Sequence, residues 1–347
     1  MPRILHGLFT RLRDKFDSNV DINRINSFEI IDIPKDLHEC VYKNDLQSIK
    51  ELIRTDNDIE SIDTDGSTAL HVASMFNRIE IVKYIIKKHA LIDSQDFDGY
   101  TPLHVALLFN SAETIQFLVN KGANIEKYTH LRFTALHLVT SSGNVKSVEY
   151  LLSINADVYA CDTDGNTPLH LATMNGNLDI VKLLVSNGSF LESVDFDEYT
   201  PLHIAVITGQ LEIVIFLINE NVNIDPKTIY GYTPLHLACY RGNVEIVEYL
   251  VDRDAGLNEC TCDLFTPLHI ASFFGNLEIV EFLIEDGCYI ESRDIDDSTA
   301  FHMAYSNKNM DVVRHLSKMG ANIEQGDFGY ITEEELDPRD YSIYQKN

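Results

Sequence analysis

The hexapeptide Thr-Pro-Leu-His-Val-Ala occupies residues 101–106 and decides the fold, because it recurs along the chain. The pattern Thr-Pro-Leu-His-x-Ala returns at Thr167, Thr200, Thr233 and Thr266, with softer copies at Thr68, Thr134 and Thr299 and a degenerate one at residues 35–40. The histidines of these copies follow a spacing of 33 residues: His38, His71, His104, His137, His170, His203, His236, His269 and His302. A period of this length predicts an array of stacked units, each packed on its neighbours.

One period, residues 162–194, shows how a unit is expected to fold. It opens on a turn rich in Asp and Gly, residue types that bond their own backbone or take a positive φ. Thr167 is predicted to cap a first helix, with Pro168 at the first helical position, where no amide hydrogen is needed. Gly176 is predicted to end that helix in the left-handed conformation. A second apolar helix is expected at residues 178–186.

The Thr-Pro-Leu-His motif, the Gly-Asn/Gln-x-x-Ile-Val runs and the Gly-Ala-Asn-Ile endings together resemble the ankyrin repeat. The resemblance implies an all-α solenoid of about nine helix-turn-helix units with β-hairpin loops, in which ligands bind the concave face of hairpins and first helices. We expect a non-enzymatic protein that binds other proteins and holds no cofactor. The units are predicted near residues 30–62, 63–95, 96–128, 129–161, 162–194, 195–227, 228–260, 261–293 and 294–326.

Both ends of the chain lie outside this array. In residues 1–29, six apolar side chains share one helical face, Ile4, Leu5, Leu8, Phe9, Leu12 and Phe16. We expect a short amphipathic helix that covers the first unit; a membrane-surface or organelle-targeting helix is the alternative. Residues 327–347 form an acidic tail, expected to be frayed or a last capping turn, with a docking tail as the alternative.

Composition limits the classes of partner. With 54 acidic and 27 basic residues the net charge is −27, which argues against nucleic acid and favours a partner with a basic patch. The six cysteines show no disulfide framework, and Cys260-x-Cys262 without a second pair is a weak metal signal. Reduced thiols favour the cytoplasm, with nuclear entry or secretion as an effector left open. No apolar run approaches the ~20 residues of a membrane span.

The histidine column is predicted to be structural. One imidazole per unit places successive rings about 10 Å apart, whereas zinc ligands must converge within about 2 Å of one ion. Each histidine is instead expected to bond the hairpin and the neighbouring unit. The common nucleotide-binding, hydrolase, metalloprotease and kinase motifs are absent from the sequence, so we expect no catalytic residues and no metal.

Aromatic residues occupy positions that the repeat leaves variable, at the hairpins and at the ends of the first helices. Since Tyr and Phe anchor protein interfaces, we predict that they contact a partner; the alternative is that several lie against neighbouring hairpins. The predicted contact residues are Phe76, Phe97, Tyr100, Phe109, Phe133, Phe196, Tyr199, Tyr230, Tyr232, Tyr240, Phe265, Phe273 and Phe274.

Acidic residues run beside the aromatics in two rows. A hairpin row is predicted to form an acidic rim: Asp98, Asp164, Asp197, Asp263 and Asp296. A second column follows the second helices: Glu60, Asp93, Glu126, Tyr159, Glu192, Asp225, Asn258, Glu291 and Glu324. These charges are expected to steer a basic, partly apolar segment into the groove, unless they serve solubility alone.

The sequence therefore predicts a protein-protein interaction scaffold or adaptor. Two other classes stay open. The chain could be a regulatory or inhibitory subunit of an enzyme, or a cytosolic platform held at a membrane through residues 1–16.

Overall fold

A computed structural model describes residues 36–54 and 59–322, and these fold into alternating first and second helices. The first helices are α1 Leu37–Tyr42, α3 Ala69–Met75, α5 Pro102–Leu108, α7 Ala135–Ser141, α9 Pro168–Met174, α11 Pro201–Ile207, α13 Pro234–Arg241, α15 Pro267–Phe274 and α17 Ala300–Ser306. The second helices are α2 Leu46–Arg54, α4 Ile79–Lys87, α6 Ala112–Asn120, α8 Val145–Ser153, α10 Leu178–Ser186, α12 Leu211–Asn219, α14 Val244–Val251, α16 Leu277–Glu285 and α18 Met310–Lys318. The all-α solenoid is confirmed.

Eight of the nine described first helices begin with a capping box built from the repeated motif, whereas α1 is capped by Asp36, whose side chain accepts from the N–H of His38. Thr167 is the N-cap of α9, and its N–H donates to Nδ1 of His170 at 3.1 Å. Because Nδ1 accepts this bond, the ring proton lies on Nε2, which donates to the carbonyl of Tyr199 in the next unit at 3.1 Å. The same pair of bonds recurs at most motif histidines, so the hydrogen bonds predicted for this column are present.

Each first helix ends in a left-handed residue, and the chain turns there into the second helix. Gly176 has φ 68°, as predicted. Three asparagines keep the same conformation, Asn44, Asn77 and Asn110, with φ of 57°, 52° and 55°. Lys308, which departs from the Gly/Asn pattern, also has φ 62°, so packing imposes the turn on a residue that resists it.

One continuous apolar core runs through the stack, formed by residues such as Leu136, Leu169, Ile180 and Leu184. Successive first helices pack more closely together than successive second helices do. This difference bends the array so that first helices and hairpins line its inner, concave face. We call the surface along this face the groove.

The loops between units are tight turns joined side by side. In the part of the chain that the structure describes there is only an isolated bridge, Ile62 with Thr68, so the loops predicted as β-hairpins contain no extended strand. Asp195 holds its turn by accepting from the N–H groups of Asp197 and Tyr199 at 3.0 and 2.8 Å. Neighbouring hairpins are joined by a backbone hydrogen bond. For example, the N–H of Phe196 donates to the carbonyl of Asp164 in the preceding hairpin at 3.0 Å.

The two terminal predictions, the helix over residues 1–16 and the acidic tail at 327–347, lie outside the described residues, as does Glu324.

Candidate functional site: the concave face

Aromatic side chains at the ends of α13 and α15 form an exposed cluster on the concave face. Tyr240 and Phe274 lie edge to face with ring centroids 5.0 Å apart, and Phe273 meets Phe274 at the same distance. All three remain exposed although they contact one another. Burial, followed by the charges of Asp263 and Tyr240, raises the pKa of the nearby Tyr232 hydroxyl. We call Tyr240, Phe273 and Phe274 the distal cluster.

A second aromatic cluster lies at the first units of the array. The rings of Tyr42 and Phe76 pack edge to face at 5.4 Å, and the Arg78 guanidinium lies 6.0 Å from the Phe76 ring. Burial, followed by the charges of Asp63 and Asp65, raises the pKa of the Tyr42 hydroxyl. The sequence analysis did not single out Tyr42. Its position in the repeat is that of Tyr240 and Phe273, displaced by whole periods, and that signal could have found it.

Four other predicted contact residues are exposed at hairpin tips or at the end of a first helix. Phe97, Phe196 and Tyr230 stand at hairpin tips and are exposed, and Phe109 is exposed at the end of α5. The structure thus brings Phe97, Phe109 and the Tyr42 and Phe76 pair to one end of the array, and Tyr230 and the distal cluster to the other.

Five predicted contact residues are not exposed as expected. Tyr100, Phe133 and Tyr199 are buried, and Tyr232 and Phe265 are half-buried. Each precedes the capping threonine and packs its ring on the motif histidine four residues later, for example Tyr199 on His203 at 5.7 Å. Their ring faces belong to the scaffold, because the hairpin folds back over the start of its own first helix.

The acidic hairpin row lies at the surface. Asp98, Asp164, Asp263 and Asp296 are exposed and Asp197 is half-buried. Burial, followed by the charges of Asp162 and Asp197, raises the pKa of Asp164, so successive hairpin carboxylates repel one another. This repulsion would be relieved by a bound cation.

The second acidic column has a structural role that the sequence analysis missed. Glu126 accepts from the N–H of Asp157 at 2.9 Å, and Glu192 accepts from that of Asn223 at 2.6 Å. The same bond, spanning 31 residues, is made along the column by Glu60, Asp93, Asp225, Asn258 and Glu291. Except at Tyr159, these side chains tie the described units to one another and are not a free rim around the groove.

Comparison with known proteins settles the family. A family model described as ankyrin repeats in three copies matches residues 37–129, 126–195, 188–261, 220–294 and 254–327. The chain belongs to the ankyrin-repeat family. Ankyrin repeats generally mediate protein-protein interaction and are typically not catalytic modules. A search of curated protein sequences finds no significant match.

The ankyrin array carries free thiols and buried, neutral histidines. Within residues 36–54 and 59–322, no group of three or more His, Cys, Asp or Glu side chains is placed to hold a metal ion. No helix in these ranges is long and apolar enough to cross a membrane. All six cysteines are free thiols. Burial lowers the pKa of His104, His137, His170, His203 and His236 to about 4, so these imidazoles are neutral parts of the scaffold.

Proposed function

We propose that the array is a non-enzymatic adaptor that binds a protein segment in its concave groove. The observation that carries the proposal is the distal cluster: Tyr240, Phe273 and Phe274 stay exposed on a rigid face where other units have Ser141 and Asn175. Folding does not require these rings, because the same positions tolerate small polar residues. Exposed Tyr and Phe on a preorganised surface are typical anchors of protein interfaces.

The charges around the groove define the partner's chemistry. Asp164, Asp263 and Asp296 are exposed along the hairpins of the same face. A segment with apolar side chains flanked by Lys or Arg would fill the aromatic sites and relieve the repulsion between carboxylates. The free thiols fit action in a reducing compartment such as the cytoplasm.

The test replaces the distal cluster with residues that the array itself carries at equivalent positions. Tyr240→Ser, Phe273→Ser and Phe274→Asn reproduce Ser141 and Asn175, so the fold should be unchanged. Affinity capture on the full chain, followed by mass spectrometry, should return a partner that the triple variant loses. A variant at an exposed convex residue, Lys146→Ser, is the control and should retain it. Equal capture by the triple variant and the wild type would refute the proposal.

Ionic strength tests the electrostatic part separately. Exposed charges are screened within about 10 Å at 0.1 M salt. Added salt should therefore slow association of the captured partner while changing its dissociation rate little. An association rate that does not depend on salt would refute the proposal that the partner segment is basic. It would not affect the proposal that the partner contacts the distal cluster.

A further inference from the structure

The second helices of the first three units form a basic surface on the outer side of the array, away from the groove. Lysines of α2, of α4 and of the turns after α4 and α6 lie here, and all except half-buried Lys50 are exposed: Lys50, Lys83, Lys87, Lys88 and Lys121. We call these five lysines the basic face. Lys83 and Lys87 lie one helical turn apart on the same side of α4. Arg54 ends α2, but Asp56 and Asp58 follow it in the sequence, so it is not part of the basic face.

Two aromatic rings hold the ammonium groups of the basic face close together. Nζ of Lys50 and Nζ of Lys88 lie 5.9 and 5.7 Å from the centre of the Tyr84 ring. In the next unit, Nζ of Lys121 lies 5.6 Å from the centre of the Phe117 ring. Both rings are half-buried and pack on the core, which fixes their positions. Two positive charges therefore share the Tyr84 ring, and a negatively charged partner would relieve their repulsion.

Few carboxylates neutralise the basic face. Lys83 pairs with Glu80 at 2.8 Å, but both side chains are exposed, and an exposed pair of this kind is weak. Among the described residues, the other four lysines form no ion pair with Asp or Glu. Helices α2 and α6 carry one acid each, Glu51 and Glu113. The surface therefore keeps a positive charge of its own.

The same positions are acidic near the other end of the array. In place of the three lysines of α4 and its turn, α16 and its turn carry Glu281, Glu285 and Asp286. Folding of a unit therefore does not require lysine at these positions. At physiological ionic strength charges are screened beyond about 8 Å, and α16 is six units from α4, each about 10 Å deep. The basic face can therefore act locally in a chain of net charge −27.

An exposed leucine adjoins the basic face and indicates the kind of partner. Leu91 directly follows the run Lys87-Lys88-His89-Ala90 and is 63% exposed. Two other units have an exposed ring at this position, but Ser186 and Asn187 precede Phe190, and Glu285 and Asp286 precede Tyr289. Among the described units, cations and an exposed apolar side chain coincide at this position only at Leu91. An anionic membrane accepts both, because its headgroups attract ammonium groups and its acyl boundary takes up apolar side chains.

Nucleic acid fits this surface less well. Proteins that bind single strands stack the bases on exposed aromatic rings. Tyr84 and Phe117 are half-buried, and ammonium groups already lie over them. The side chain left for an apolar contact is Leu91, which offers no ring for stacking.

We propose that the basic face and Leu91 bind an anionic membrane surface. The lysines contact the negatively charged lipid headgroups, and Leu91 enters the boundary between headgroups and acyl chains. The groove lies on the other side of the array and stays open to its own partner. No residue is shared with the distal cluster, so neither proposal depends on the other.

The test neutralises the basic face with residues that the array carries at the same positions. Lys83→Gln, Lys87→Asn and Lys88→Asn reproduce Gln116, Asn120 and Asn187, so this lysine variant should fold as the wild type does. The control, Lys146→Asp with Lys182→Gln, makes the net charge more negative by the same amount, but on the second helices of later units. Binding of the full chain is measured by flotation with phosphatidylcholine vesicles that contain or lack phosphatidylserine.

We expect the wild type to bind the vesicles with phosphatidylserine and not those without it, and to bind less as salt is added. Each lysine at an anionic surface strengthens binding about fivefold, so the lysine variant should bind about a hundredfold more weakly. The control should bind within about twofold of the wild type, because its changes lie beyond the screening distance. Leu91→Asn, which reproduces Asn124, should weaken binding about tenfold through the loss of apolar burial.

Three results would overturn the proposal: no binding of the wild type to phosphatidylserine vesicles, equal binding by the lysine variant and the wild type, or equal losses in the lysine variant and the control. Binding of polyglutamate or RNA as tight as that of the vesicles would also overturn it, by assigning the basic face to another polyanion. A Leu8→Asp, Leu12→Asp variant examines residues 1–16; vesicle binding lost in this variant but retained in the lysine variant would place the contact there. Leu91→Asn with unchanged binding would refute the contact of Leu91.

Discussion

Phe196 and Tyr199 belong to the same hairpin but have opposite roles. Phe196 is 73% exposed at the tip, whereas Tyr199 is 9% exposed and packs on His203. We predict that Tyr199→Ala lowers the free energy of unfolding by about 3 kcal/mol, as deletion of a buried ring does. Phe196→Ala should change it by less than about 0.5 kcal/mol. Urea unfolding of both variants measures the difference, and equal effects would refute the assignment of Tyr199 to the scaffold.

The buried histidines make stability depend on pH. Burial lowers the pKa of five of them to about 4, below the value near 6.5 of an exposed imidazole. Between these values the unfolded chain binds more protons than the folded one, so stability is complete above about pH 6.5 and falls towards pH 4. The raised pKa of Asp162 and Asp195 acts in the opposite direction as the pH approaches the acidic end of this range.

We therefore expect the urea midpoint to fall clearly between about pH 7.5 and about pH 5, with the histidines dominating because their shifts are larger and more numerous. A midpoint that stays constant over this range would contradict the neutral, hydrogen-bonded state assigned to the histidine column.

Neighbouring hairpins lie close together. Two glycines distinguish the effect of that contact from the strain of a positive φ alone. Gly165 and Gly122 have almost the same φ, 87° and 89°. A Cβ on Gly165 would lie 2.9 Å from the backbone nitrogen of Phe196, whereas one on Gly122 would have no neighbour within 4 Å. Gly122→Ala should cost about 1 kcal/mol, from the left-handed conformation alone. Gly165→Ala should cost distinctly more in thermal unfolding; equal losses would show that the hairpins can separate freely.

The column of bonds between units offers a prediction about stability at Tyr159. Tyr159→Glu supplies a carboxylate for the N–H of Phe190 but removes the bond from the Tyr159 hydroxyl to the carbonyl of Gly188. Because one bond replaces another, the free energy of unfolding should change by less than about 0.5 kcal/mol. Glu192→Ala, which removes the bond to Asn223 without replacing it, should lower the free energy of unfolding by about 1 kcal/mol. Calorimetry on the two variants measures both effects, and equal losses would contradict the exchange of bonds at Tyr159.

At the level of these elements, the sequence predicts what is repeated better than what varies. The helices, their caps and their left-handed ends follow from Thr167, Pro168 and Gly176, because local backbone chemistry determines them. The exposure of the hairpin aromatics could not be predicted from the sequence. Phe196 and Tyr199 are both aromatic residues of one hairpin, and the conformation of the turn determines which of the two is exposed. The role of Glu126 was likewise invisible, because its acceptor bond reaches 31 residues along the chain.

The whole molecule is a stack in which each unit contacts its neighbours, so its surfaces can vary without disturbing the core. The aromatic clusters lie near the two ends of the concave groove, around Tyr42 and around Tyr240. Polar residues such as Ser142 and Asn175 separate the two groove clusters. Such an arrangement suits an extended ligand better than a compact one, because the anchors are several units apart.

The central claim is that the distal cluster anchors a partner in the groove. The most direct measurement is the dissociation constant of the captured partner for the wild type and for the Tyr240→Ser, Phe273→Ser, Phe274→Asn variant, at matched salt and with identical thermal unfolding. Our account predicts that the variant binds at least about tenfold more weakly, because exposed aromatic anchors carry most of the binding energy. An unchanged dissociation constant, with the fold intact, would contradict it.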